Sequence, residues 1–120
     1  MLCLDTYALI ELHDENPKFA FLLNKNFVIT DLTLTEFFSM MYKKHDRKTA
    51  DYWFEKLSSF SKLVSKDIMK KAALFKLKNN KQKLSFFDCV GYIYSLENNL
   101  KFVTGDKEFK NKKGVMFISK

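Results

Sequence analysis

The chain is short of the residues that interrupt regular structure: its 120 residues include 3 glycines and 1 proline. So few breakers exclude a loop-rich or collagen-like polypeptide and imply long elements with short connections. Cysteine is also scarce. Cys3 and Cys89 both lie in apolar runs, show no metal-ligand spacing and are too few for a secreted disulfide scaffold, so buried free thiols in a reducing compartment are expected. No basic stretch followed by an apolar run opens the chain, and Asp5 interrupts the first apolar run at once. No segment approaches the roughly 20 apolar residues that span a bilayer. The expectation is a soluble, cytoplasmic domain with no membrane partner. Arginine is nearly missing as well: Arg47 is the only one, so lysine supplies the basic charge.

What is present is a large apolar complement. Hydrophobic residues make up 47% and aromatics 16%, with 13 phenylalanines, ample for one real core and against disorder. A single domain over residues 1–120 is expected. The formal net charge of +7 favours polyanions, nucleic acid first and anionic membrane second, although solubility alone would also account for it.

Along the chain, "MLCLD" reads as a short apolar strand ending in Asp5, of the kind buried in a parallel sheet. "TYALIEL" (6–12) follows as a helix, broken at 13–17, and Pro17 suits the first turn of a second helix, "PKFAFLLNK". "FVIT" (27–30) is a second buried strand, leading into a helix from about Thr33 to Lys44. Residues 48–60 form another helix, "KLVS" (62–65) a weak strand, and 67–78 an amphipathic helix. A polar loop at 79–83 precedes a helix from Ser85, whose Gly91 would let another backbone pack closely. "KFVT" (101–104) is a strand, 106–110 a short turn and "VMFI" (115–118) a last strand. Strands alternating with helices imply an α/β fold, a three-layer α/β/α sandwich with a largely parallel central sheet. No internal repeat is visible.

Four acids recur at the starts of helices or the ends of strands. Asp5 ends the first strand, Asp106 follows a late one, Glu36 falls in the first turn of the helix after the second strand, and Asp88 opens the helix from Ser85. Right-handed strand–helix–strand units place every strand's carboxyl end on one edge of the sheet, where ligands of open α/β sheets bind. Each acid also has a structural reading. "TLTE" (33–36) is a capping box, "SFFD" (85–88) its near relative, and Asp5 and Asp106 could be simple N-caps. The coincidence of all four at one edge distinguishes them. Gathered carboxylates repel, and a hard divalent cation such as Mg²⁺ or Mn²⁺ relieves that repulsion while bridging to phosphate. Such an ion can activate water against a phosphodiester.

Asp5 with Thr6 after the N-terminal strand, "LTLTEF" around Glu36, and "FFDCVGYIYSLENNLKFVTGDKEF" around Asp88 and Asp106 together resemble the PIN domain. In size and bare single-domain form the chain is similar to the VapC-type toxins of toxin–antitoxin pairs. The resemblance spans the whole chain, and the block from Asp88 to "TGD" is its strongest part. It implies that Asp5, Glu36, Asp88 and Asp106 are catalytic, metal-binding acids, with Thr6 or Thr104 as polar support. It implies Mg²⁺- or Mn²⁺-dependent endoribonuclease activity on RNA, a homodimer, and a small antitoxin whose tail plugs the site. One position departs from the pattern: Phe86 and Phe87 precede Asp88 where a small residue is usual.

Lys107, Lys110, Lys112 and Lys113 flank Asp106 and form the preferred phosphate-contact patch, ahead of the cluster of Lys43, Lys44, Arg47 and Lys48. Glu108 could assist a metal but is expected to face solvent. His13 and His45 read as surface or helix-end residues away from the acidic edge. Cys3 shares a strand face with Asp5, and Cys89 reads as packing. An exposed remainder of Phe19, Phe21, Trp53 or Phe54 would mark a dimer or antitoxin groove. Other functions remain open: a non-catalytic module of the same fold that binds nucleic acid or protein, or a nuclease acting on DNA. A haloacid-type phosphatase is set aside because Tyr7 stands where its second Asp would be. A receiver domain is disfavoured because Asp5 stands alone, and "DKEFKNKKG" lacks the alternating acids of a calcium loop.

Overall fold

The structure, a computed structural model, describes residues 1–119. Five parallel strands form the central sheet: β1 (Leu2–Leu4), β2 (Phe27–Thr30), β3 (Ser61–Lys62), β4 (Lys101–Thr104) and β5 (Val115–Phe117), in the order β3-β2-β1-β4-β5. β1 sits in the middle, with Cys3 opposite Val28 of β2 on one side and Phe102 of β4 on the other. All three of its residues are buried, which is why the first strand is an unbroken apolar run. From β1 the chain builds outward through β2 and β3, then returns to the other side of β1 for β4 and β5. The strand order therefore reverses between β1 and β4, so Asp5 and the turn after Thr104 lie at the switch point.

Helices cover both faces. On one face α1 (Thr6–His13), α2 (Asp31–Lys44) and α3 (Arg47–Ser58) pack with Leu2, Leu4, Ile29 and Val103 in one core. On the other, α4 (Lys66–Lys78) and α5 (Phe86–Glu97) pack with Phe102, Cys89, Leu84 and Phe109. Phe102 and Val103 thus serve opposite cores from adjacent positions, as strand alternation requires. The three-layer α/β/α sandwich matches the expectation from sequence. Gly91 admits the Phe102 ring rather than a backbone: a Cβ there would lie 2.8 Å from Phe102 Cε1. Among the described residues, no helix is long and apolar enough to cross a membrane.

Three local expectations are corrected. The helix expected over 17–25 is a turn followed by a 3-10 helix, Ala20–Asn24. The Asn16 side chain accepts from the Lys18 amide at 3.0 Å, and Phe19 and Leu22, three residues apart, are both fully buried. That spacing suits three residues per turn better than 3.6. The strand expected over 62–65 is displaced to Ser61–Lys62, where it pairs with Ile29 and Thr30. Finally, α2 starts at Asp31 because Thr30 is its N-cap, its hydroxyl accepting from the Thr33 amide at 3.1 Å. Glu36 therefore lies in the second turn, and its carboxylate is not used for capping.

Candidate active site at the carboxyl edge of the sheet

Asp5 leaves β1 and becomes the N-cap of α1, with Oδ1 accepting from the Ala8 amide at 2.8 Å. One oxygen thus does the capping. The other, Oδ2, is buried and has no hydrogen-bond partner, in a residue only 1% exposed. An ionised carboxylate with one satisfied oxygen is costly in such a place. Burial accordingly pushes Asp5 up to about 7, with the nearby Thr104 hydroxyl and the Ala8 amide pulling the other way and the charges of Asp106 and Glu36 adding to the rise.

Asp88 sits in the first turn of α5. The capping pair expected in "SFFD" is not formed, since Ser85 occupies the N-cap without a side-chain cap bond. Burial, then the charges of Asp5, Glu36 and Asp106, raise Asp88 to about 8, with no hydrogen bond to oppose them. Glu36 reaches in from α2, and the Thr6 hydroxyl donates to its Oε1. Asp106 follows β4 as the cap of a 3-10 turn, Lys107–Phe109. Its Oδ1 accepts from the Glu108 amide at 3.0 Å, while its own amide donates to the Thr104 hydroxyl at 3.0 Å. Four elements far apart in sequence therefore bring four carboxylates within one another's field.

Those acids form an open cluster. Among the described residues no three His, Cys, Asp or Glu side chains already stand as a closed metal-binding group. The donor set nevertheless fits a hard divalent cation. Every donor is a carboxylate oxygen, one of them buried and unpartnered, and a cation would favour the charged forms that burial and repulsion now oppose. The other buried unpartnered oxygen among the described residues, Asp31 Oδ1, opens α2 five residues before Glu36, about 140° round the helix from it.

The lysines divide. Lys107 and Lys110 are exposed on the turn beside Asp106, Lys110 with its ammonium 5.6 Å from the Phe117 ring centre. Lys112 is half-buried instead, donating to Gln82 Oε1 at 2.9 Å and lying over the Phe75 ring. Lys113 lines a depression with Ser95, Asn99 and Lys101 at the opposite edge, because the chain must cross the sheet before β5 can run parallel to β4. Of the four lysines expected as a phosphate patch, Lys107 and Lys110 are the two that stand exposed beside Asp106. Arg47 pairs with Asp51 at 3.1 Å, and the basic junction of α2 and α3 lies beyond the far end of α2.

Glu108 was expected in solvent but is half-buried, accepting from Gln82 Nε2 at 3.2 Å. His13 and His45 lie where α1 and α2 end, away from the acids: His13 pairs with Asp14 at 3.0 Å, lies tilted against the His45 ring and packs edge-to-face with Trp53. Cys3 and Cys89 are buried, and burial pushes each thiol up to about 11, as expected of packing residues. Phe86 joins the core beside α4, which accommodates the departure noted before Asp88.

Two site features went unread in the sequence. The Tyr7 ring covers Gly105 so closely that a Cβ there would lie 2.0 Å from Tyr7 Cε1, and this contact locks the turn that carries Asp106. A lone glycine after a strand was the available signal. Gln82 carried none, being one polar residue in a polar loop.

The PIN domain family model matches residues 2–115. No curated protein matches the chain. Among solved structures, a toxin–antitoxin complex from Klebsiella pneumoniae is 21% identical, with TM-score 0.77, over 97% of this chain and 96% of that one. VapC20 of Mycobacterium tuberculosis, a sarcin-ricin loop cleaving toxin, is 14% identical with TM-score 0.80, over 98% and 99%. VapBC-1 from nontypeable Haemophilus influenzae is 16% identical with TM-score 0.71, over 98% and 96%. At these identities the likeness is one of fold.

Proposed function

The chain belongs to the PIN domain family, and from that premise we propose that it is a metal-dependent endoribonuclease, the toxin of a toxin–antitoxin pair. The observation that carries the reading is the buried, unpartnered Oδ2 of Asp5 set in the field of Glu36, Asp88 and Asp106. A fold needing only helix caps has no use for that oxygen or for the uncapped Asp88. Asp5, Glu36, Asp88 and Asp106 would hold Mg²⁺ or Mn²⁺. Bound there, such an ion supplies an activated water and steadies the leaving oxygen of a phosphodiester.

The chain's own groups do the rest. Thr6 orients Glu36 through its hydroxyl, and Thr104 fixes the backbone that presents Asp106. Lys107 and Lys110 hold substrate phosphates beside the acids, within a protein whose +7 charge draws in RNA. A homodimer and a small antitoxin complete the reading. By that reading the antitoxin's tail plugs the acidic site, and an apolar cleft lined by Leu9, Leu12, Leu23, Phe27, Phe37 and Trp53 between α1, α2 and α3 takes its apolar face. Of the aromatics proposed for such a groove, Trp53 lines this cleft and Phe21 is exposed, whereas Phe19 is fully buried and belongs to the core. The solved toxin–antitoxin complexes of similar fold support this partner class.

The test is cleavage of RNA by purified protein in Mg²⁺, Mn²⁺ or EDTA beside Asp88→Asn. Cleavage that requires metal and disappears in the variant is expected. A folded protein that cuts nothing with any metal would leave a binding module.

A further inference from the structure

Resting on the reading of the acids as a metal centre, we propose that Gln82 is a positioning residue: it clamps the Lys107–Phe109 turn and thereby sets how Asp106 faces the centre. Gln82 lies in the polar loop between α4 and α5, 26 residues from Glu108 in sequence. Its amide nitrogen donates twice into the turn, to the Glu108 carbonyl and to Glu108 Oε2, each at 3.2 Å. Its own oxygen accepts from Lys112 Nζ at 2.9 Å, and the Lys112 amide donates to the Phe109 carbonyl at 3.1 Å. Both donors and the acceptor of the side chain are thus engaged, and every partner belongs to the segment just after Asp106.

The clamp reaches Asp106 by one further bond, because the Glu108 amide is the donor to Asp106 Oδ1. A three-residue 3-10 helix has little cooperativity of its own to hold that amide in place. Phe109, fully buried, anchors one end of the turn, and Gly105 under the Tyr7 ring anchors the other. Glu108 lies between these anchors and, among the described side chains outside the segment, is held by Gln82 alone. The same bonds keep the Glu108 carboxylate turned toward Gln82, so it does not swing in as a competing acid.

The test is Mn²⁺ binding to the metal-stripped full chain, followed by the loss of the free-ion magnetic resonance signal, with thermal unfolding alongside. Gln82→Ala is expected to weaken Mn²⁺ binding about tenfold, as loss of an outer-shell partner does, while melting within a few degrees of the parent. Lys112→Ala cuts the clamp from its other end and should act in the same direction. The double variant should be no weaker than Gln82→Ala, since both substitutions sever one linkage. Lys112→Ala also serves if Gln82→Ala fails to fold. Parent-like Mn²⁺ binding in both single variants, with binding lost in Asp106→Asn, overturns the clamp alone. If Asp106→Asn binds Mn²⁺ as the parent does, or the parent binds none, the metal reading fails and the clamp with it.

Discussion

Replacing Asp88 by Asn separates a site carboxylate from a structural one, because the two roles change stability in opposite directions. In the metal-free protein Asp88 is raised from 3.8 to about 8, first by burial and then by the neighbouring acids. Between about pH 4 and about pH 8 the native state therefore holds a proton that the unfolded chain has released. Its contribution to stability is complete below about pH 4 and is lost as pH rises through that window. At pH 7, about three units above the unfolded value, the loss is ~4 kcal/mol at ~1.4 kcal/mol per unit. Asn has no proton to lose in the unfolded chain. Its buried amide costs part of the difference, which leaves the variant ~2 kcal/mol more stable than the parent near pH 7. In a domain of this size that is a rise of roughly 6–8 °C in melting temperature. Thermal unfolding in EDTA at about pH 4 and about pH 7 reads it directly: the variant should melt below the parent in acid, where only the cost of its amide remains, and above it at neutrality. With saturating Mg²⁺ the parent should recover and overtake the variant, since the ion favours the charged carboxylate. A variant that is less stable by the same amount at both pH values would refute the reasoning, because a constant loss is the signature of a missing cap.

Other outcomes follow from the geometry. Gly105→Ala places a methyl 2.0 Å from Tyr7 Cε1 and should cost ~1–3 kcal/mol in urea unfolding; Tyr7→Ala should restore part of that loss, and an additive pair would disprove the contact. Thr6→Val removes the donor to Glu36 Oε1, a hydrogen bond to a charged group worth ~1.5–3 kcal/mol. RNA cleavage should fall about tenfold or more, and an unchanged rate would remove Thr6 from the site. Lys107→Ala and Lys110→Ala should each reduce the salt dependence of RNA binding by about one ion, whereas Lys113→Ala, at the opposite edge, should leave it unchanged. Equal effects from all three would mean that only the diffuse charge of the protein matters.

Much of this molecule is legible in its chain because local rules decide it. Three apolar residues before Asp5 suffice for a buried central strand, and Asp5 announces the first helix by capping it. Alternation of strands and helices, together with the fixed hand of their crossovers, is enough to bring four distant acids to one edge. Where local signals competed, packing chose. Phe19 and Leu22 turned an expected α-helix into a 3-10 turn by both reaching the core, and Thr30 took the cap that "TLTE" offered to Thr33. Only the tertiary structure could show that Asp5 caps with one oxygen and leaves the other buried and free, since that depends on what surrounds it. It also decided that Lys112 belongs to Gln82, and that Lys113 sits across the sheet from its neighbour in sequence Lys110. Residue types and spacing determine which groups an edge can offer. Which of their atoms stay unsatisfied is a property of burial, and burial is known only once the chain has closed on itself.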